Sequence, residues 1–169
     1  QYGMTDGEPL LRRALAAEMR SRGIAASTEN IVIVSGSQQA LDLFPRIMID
    51  PGDTILVENP TFLGAIQSFS AYGPRYVSVP LDEEGASAHA MERVLAENRV
   101  KFMYLIPTFH KPTGITMSLR RRERIVALAS EAGVPIIEDD PYGRLRYRGE
   151  TLPTLAAIAD PPAVTEDAP

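Results

Sequence analysis

Five short apolar runs recur along the chain, at residues 31–34, 54–58, 75–79, 102–106 and 134–138, and stretches of helical periodicity separate them. A run that is apolar at successive positions suits a strand covered on both faces, and such strands are joined in parallel by crossover helices. Leu11, Leu15 and Met19 mark an amphipathic helix over residues 8–22, closed by Gly23. Further helices are predicted from Ser35-Gly36-Ser37-Gln38-Gln39-Ala40-Leu41 to about residue 48, over 63–71, over 88–97, and over 119–132. The last of these is capped by Ser118 and turns Ile125, Leu128 and Ala129 inward. Strand and helix therefore alternate throughout, and the fold expected is a three-layer αβα sandwich with a mostly parallel sheet. Residues 145–147 read as one more short strand, followed by Pro/Ala-rich connection.

The length of 169 residues allows one domain with a real core. A net charge of −5 argues against a nucleic-acid surface or an anionic membrane as partner, and the absence of cysteine excludes disulfides and thiolate metal sites. Neither His89 nor His110 has an obvious metal-ligating companion, and His89 falls on an exposed helix. The cluster Arg120-Arg121-Arg122-Glu123-Arg124 reads as the solvated face of a helix. The chain opens at Gln1 and ends in the loop-like Thr165-Glu166-Asp167-Ala168-Pro169, so it reads as a piece of a longer protein.

In open α/β sheets ligands meet the carboxyl ends of the strands, and four segments with chemistry fall there. Ser35-Gly36-Ser37-Gln38 joins a strand to a helix start, where unpaired N–H groups and the helix dipole favour phosphate. The same residues are read equally well as a capping box of Ser35 with Gln38, which needs no ligand. Glu58-Asn59-Pro60-Thr61-Phe62 sets an aromatic ring just past a strand, either over a flat ligand or in the core. Pro107-Thr108-Phe109-His110-Lys111-Pro112-Thr113-Gly114 is a loop whose prolines and glycine fix its path. Glu138-Asp139-Asp140-Pro141-Tyr142 follows the last run, either as an acidic turn or as acids presented to a ligand. Together they supply a phosphate cradle, a ring cover, a polar loop and an acid beside a tyrosine. That set suits a phosphorylated heteroaromatic cofactor whose ring nitrogen a carboxylate keeps protonated.

In this order and spacing the segments resemble the fold-type I pyridoxal-phosphate (PLP) aminotransferases of classes I and II. The chain is most similar to their 2-aminoadipate/multisubstrate branch and to the aminotransferase half of GntR/MocR-type regulators. Tyr2 with Gly7 and Leu11-Arg12, Asp50-Pro51-Gly52-Asp53 and Pro112-Thr113-Gly114 extend the resemblance over essentially the whole chain. It implies that residues 1–169 form part of the large, PLP-binding domain of a cytoplasmic homodimer exchanging an amino group between an amino acid and a 2-oxo acid. An effector-sensing regulator domain and a catalytically inactive homologue are the alternatives. By the same resemblance Gly36, Ser37 and Gln38 would bind the cofactor phosphate, and Tyr2 would reach that of the neighbouring subunit. Phe62 would stack on the pyridine, Asp139 would pair with its nitrogen and Tyr142 would donate to its phenolic oxygen. Lys111, counted with the cofactor-binding residues, stands where the family has an asparagine that also touches that oxygen; its ammonium either points inward and favours the deprotonated oxygen or, the pose expected here, turns outward to solvent. The lysine that bonds the cofactor is expected beyond residue 169, since neither Lys101 nor Lys111 has its context. Further strands of the family's sheet would lie between those at 31–34 and 134–138.

Overall fold

A computed structural model describes residues 3–160, so the expectation for Tyr2 lies outside the described residues. Helix α1 (Pro9–Ser21) leads into an extended segment, then helix α2 (Ser37–Met48) and strand β1 (Thr54–Asn59). Helix α3 (Leu63–Ser70), strand β2 (Arg75–Asp82), a two-residue strand β3 (Gly85–Ala86) and helix α4 (Ala88–Glu97) follow. Strand β4 (Val100–Leu105), helix α5 (Leu119–Ala132), strand β5 (Ile136–Glu138) and a short helix α6 (Leu155–Ala159) complete the order. The sheet runs β3-β2-β1-β4-β5, parallel except for the β2–β3 hairpin.

Alternate residues of a strand face opposite sides, and two cores follow from that. Ile55 and Val57 of β1, with Phe102 and Tyr104 of β4, pack beneath α2 and α3 against Leu41, Ala65 and Phe69. Leu56, Met103 and Leu105 face the other way, toward Met91, Ile125 and Leu128 of α4 and α5. The chain is thus the expected αβα sandwich, with helices on both faces of a parallel sheet.

Three sequence expectations change. Residues 31–34 form no strand, and Val32 is 61% exposed. A strand exists only with a ladder partner, and this segment has one bridging bond, from Ile33 N to Asp6 O. The outer edge of β5 is likewise unpaired among the described residues. Residues 145–147 are not a strand either; a 3₁₀ turn spans Gly143–Leu145. The helix α6 was hidden in the Pro/Ala-rich stretch; its first N–H groups are held by Thr154 and by the carboxylate of Glu138.

The arginine cluster is not simply a solvated face. Arg122 is fully buried, whereas Arg121 clamps the β2–β3 hairpin by donating to Ala86 O at 2.6 Å and Asp82 Oδ2 at 3.0 Å. The Arg121 hydrogen bond holds the Asp82 carboxyl below its ordinary range. A depressed folded value gives stability that is present above the unfolded carboxylate pKa and is lost as pH falls through the folded one. Asp82→Asn is therefore expected to lower the melting temperature slightly near neutral pH, with the deficit shrinking as pH falls below the ordinary carboxylate range. A deficit that persists undiminished in acid would assign the effect to something other than this ion pair.

Candidate functional site

The site is assembled at the carboxyl ends of β1, β4 and β5, beside the start of α2. Gly36 takes φ +87° as the residue before α2, a conformation that favours glycine. The capping box is not formed: no side chain caps α2, Ser35 N instead donates to Gln39 Oε1, and the Gln38 amide donates to Ser68 Oγ at 2.6 Å. Nothing lies within 4 Å of where a Cβ on Gly36 would project. The helix start is therefore exposed, uncapped and positive, which suits a phosphate.

Phe62 immediately precedes α3, half-buried on the α2–α3 side of the sheet. Gly64 makes its position possible. A Cβ there would stand 2.6 Å from the Phe62 ring and 3.1 Å from Gln38 Oε1, so glycine lets the ring and the amide sit side by side. Sequence reasoning missed Gly64; a glycine in a helix's first turn, unfavourable for the helix, was the available signal.

Lys111 stays exposed to solvent, as expected, but its ammonium lies over an aromatic ring. Its Nζ lies 4.7 Å from the centroid of the Phe62 ring, over the face rather than out along the loop. Attraction of the ammonium to the ring's negative face offsets part of its lost hydration, and the residue still keeps contact with solvent. The loop that carries it is anchored from below. His110 Nε2 lies 3.3 Å from Glu58 Oε2, with both side chains 1% exposed. His110 Nδ1 is 2.9 Å from Thr113 Oγ1, and Glu58 Oε2 also accepts from Ile106 N at 2.8 Å. Lys101 is elsewhere: at the opposite end of β4 it pairs with Asp53 at 3.1 Å.

The three successive carboxylates have separate partners. Glu138 accepts from Leu155 N and Ala156 N at 3.0 and 3.1 Å, and burial raises its pKa above the ordinary value. Asp140 accepts from Arg22 at 2.6 Å and from Gly143 N at 3.0 Å. Asp139, half-buried between them, receives one hydrogen bond, 2.5 Å long, from the hydroxyl of buried Tyr104. Tyr142 is exposed, bordering an open pocket of about 450 Å³ with Phe109, Leu145, Tyr147 and Arg148. Among the described residues no His, Asp or Glu cluster could hold a metal ion.

A phosphorylated, cationic heteroaromatic ring fits this donor set. An uncapped helix start suits a phosphate, Phe62 offers a ring face, and Asp139 offers a carboxylate that no cation among the described residues pairs with. Gln38, Phe62 and Lys111 are brought together around Gly64, and Asp139 is tied to the same core through Tyr104.

The sequence matches the family model described as aminotransferase class I and II over residues 1–165. It is 48% identical over 163 residues to aromatic-amino-acid aminotransferase 1 of Thermococcus litoralis, covering 93% of this chain and 39% of that protein. The crystal structure of LysN, an alpha-aminoadipate aminotransferase of Thermus thermophilus complexed with N-(5'-phosphopyridoxyl)-L-leucine, is similar with a TM-score of 0.88. That match has 40% identity over 94% of this chain and 40% of the other. An uncharacterized HTH-type transcriptional regulator of Bacillus subtilis, YisV, is 35% identical over 157 residues, 93% of this chain and 32% of its own length. The chain thus spans about two fifths of the length of the aminotransferases that it matches.

Proposed function

The chain belongs to the class I and II aminotransferases, and from that premise we propose that the protein it is part of moves an amino group between an amino acid and a 2-oxo acid with PLP as cofactor. The observation that carries the reading is the state of Asp139, the one carboxylate of three that, among the described residues, neither a cation nor a helix end engages. When bound, PLP supplies an electron sink for a carbanion at the amino-acid α-carbon. This chain's residues supply the rest. The N–H groups at the start of α2, with Ser37 and Gln38, bind the phosphate, and Gly36 lets the backbone approach it. Phe62 stacks on the ring and fixes its plane. Asp139 holds a proton at the ring nitrogen, and Tyr142 donates to the phenolic oxygen. Tyr2 reaches the site of a second subunit in a homodimer, and the compartment is the cytoplasm.

Incubating the intact protein with PLP, a panel of amino acids and 2-oxo acids, and following the new oxo acid, tests the reading. A protein that neither takes up the cofactor nor transfers the amino group would refute it. The similarity to YisV favours one second reading, an effector-binding domain within a regulator. Specific DNA binding by the intact protein, with cofactor uptake but no turnover, would select that alternative.

Lys111 enters as a cationic ligand of the phenolic oxygen. Its ammonium lies 4.7 Å from the Phe62 centroid, so it would stand beside a cofactor ring held against Phe62. Lys111→Asn exchanges a charge-assisted hydrogen bond for a neutral one, a loss of about 1 kcal/mol, or roughly fivefold in PLP affinity. Titrating the intact apoprotein with PLP measures it. Tighter binding in the Asn variant would mean that the lysine only obstructs the ring's seat.

A further inference from the structure

We propose that Tyr104 is the positioning residue for Asp139: its hydroxyl occupies one carboxylate oxygen and leaves the other directed at the cofactor's ring nitrogen. The inference rests on the cofactor reading of Asp139 given above and assigns a role to a residue that lies inside the sheet.

Register makes the contact. Tyr104 of β4 is paired with Ile137 of β5, and the ladder continues one residue beyond β5 through the bond from Asp139 N to Leu105 O, 2.9 Å. Asp139 therefore stands two residues past Tyr104's partner, on the same face of the sheet. A diagonal neighbour at that spacing is about 7–8 Å away at Cα, within reach of a tyrosine side chain. Glu138 falls on the opposite face, where it meets α6. The period of the strand thus separates an acid that caps a helix from an acid that meets Tyr104.

The phenol has little freedom to do anything else. Tyr104 is 0% exposed, and its ring meets Phe69 edge-on at 5.5 Å; Phe69 meets Phe102 at 5.7 Å, and Phe102 meets Phe44 at 5.2 Å. Four rings in T-shaped contact hold the hydroxyl in one place. Burial, and then the bond to Asp139, push the phenol's pKa far above its usual value, so it remains a donor. A carboxylate at the end of a strand otherwise rotates about its own side-chain torsions. Here Oδ2 is engaged by a fixed donor at 2.5 Å, so a second partner is met by Oδ1 in a set orientation. Holding a group through a neighbour in this way is how supporting residues give a site its geometry.

The alternative is that Asp139 merely satisfies a buried hydroxyl. The two roles separate in the intact protein when PLP is compared with its carbocyclic analogue, in which the ring nitrogen is replaced by C–H. Both carry the same phosphate and ring outline, but the analogue gives Asp139 no N–H to orient toward. Tyr104→Phe keeps the ring packing. It is expected to weaken binding of PLP about tenfold and of the analogue less than twofold, converting the loss of one charge-assisted hydrogen bond at 1.36 kcal/mol per decade. In an Asp139→Asn background Tyr104→Phe is expected to change the preference between the two cofactors no further. Equal loss for both cofactors, or no loss for either, overturns the proposal. If Asp139→Asn itself leaves the preference for PLP over the analogue unchanged, the fault lies in the reading of Asp139. Thermal melting of each variant checks that the fold survives.

Discussion

Asp139→Asn in the intact protein is expected to lower kcat/KM for amino transfer by about a hundred- to several-thousandfold while leaving the melting temperature nearly unchanged. Removing one partner of a desolvated charge pair costs about 3–5 kcal/mol, and each 1.36 kcal/mol is tenfold in rate. Asparagine has almost the shape of aspartate and still offers an oxygen to Tyr104, so the local packing persists. What goes is the negative charge that no cation among the described residues pairs with. Asp140→Asn is the control. Asp140 ties α1 to the strand end through Arg22, with side-chain exposures of 27% and 14%, so its loss is felt as stability, about 1 kcal/mol, and not as chemistry. Steady-state kinetics and thermal melting of both variants decide the matter. Equal falls in kcat/KM would mean that the register at the end of β5 had been misassigned.

How much of this the sequence revealed depended on how local the determining forces were. Helices α4 and α5 were legible to the residue, since Ser87 and Ser118 cap them and their apolar faces repeat within a few turns. The segment at 31–34 has the composition of a strand, yet pairing is a property of neighbours, and no ladder partner is present among the described residues. Ser35 and Gln38 have capping-box spacing, but Gln38 finds a better partner 30 residues away in Ser68, which no local pattern announces. Tyr104 sits in an apolar run and reads as core; only the alignment of β4 with β5 gives its hydroxyl a task. Lys111 was placed in solvent on the cost of dehydrating an ammonium, and it is exposed. The ring its ammonium covers could not be foreseen, because Phe62 lies 49 residues earlier, at the end of another strand.

Arg122 was the most misleading residue of all, and replacing it carries the second largest expected effect. Within a cluster of four arginines over residues 120–124 it looks like surface, yet it is 0% exposed. Its Nε donates to Met117 O at 3.0 Å, Nη1 to Pro153 O at 3.0 Å, and Nη2 to Pro107 O and Thr108 Oγ1 at 2.8 and 2.9 Å. The guanidinium thereby joins the end of β4, the approach to α5 and the approach to α6. Burial lowers its pKa from the ordinary value, and the charges of Glu138 and Asp140 oppose that shift. Two effects compete in Arg122→Met. Removing a buried charge recovers its desolvation cost, and a methionine fills much of the volume. Against this, the buried Met117 carbonyl and Thr108 hydroxyl lose their donor, whereas Pro107 O keeps the N–H of Met117 and the carbonyl of exposed Pro153 can turn to water. Unsatisfied buried groups cost about 1–3 kcal/mol each, so orphaning two outweighs the recovered desolvation, for a net loss of about 3 kcal/mol. The melting temperature of the intact protein is expected to fall by about 10 °C, at roughly 2–4 °C per kcal/mol. Arg122→Lys should rescue little, because a single ammonium cannot span acceptors that a planar fork reaches on three sides. Exposed Arg120→Met should change almost nothing. Since Pro107-Thr108 opens the loop that ends on Lys111, the loss should also loosen PLP binding, measured by the same titration. An Arg122→Met protein that melts with the parent would show that water enters to replace the lost donor.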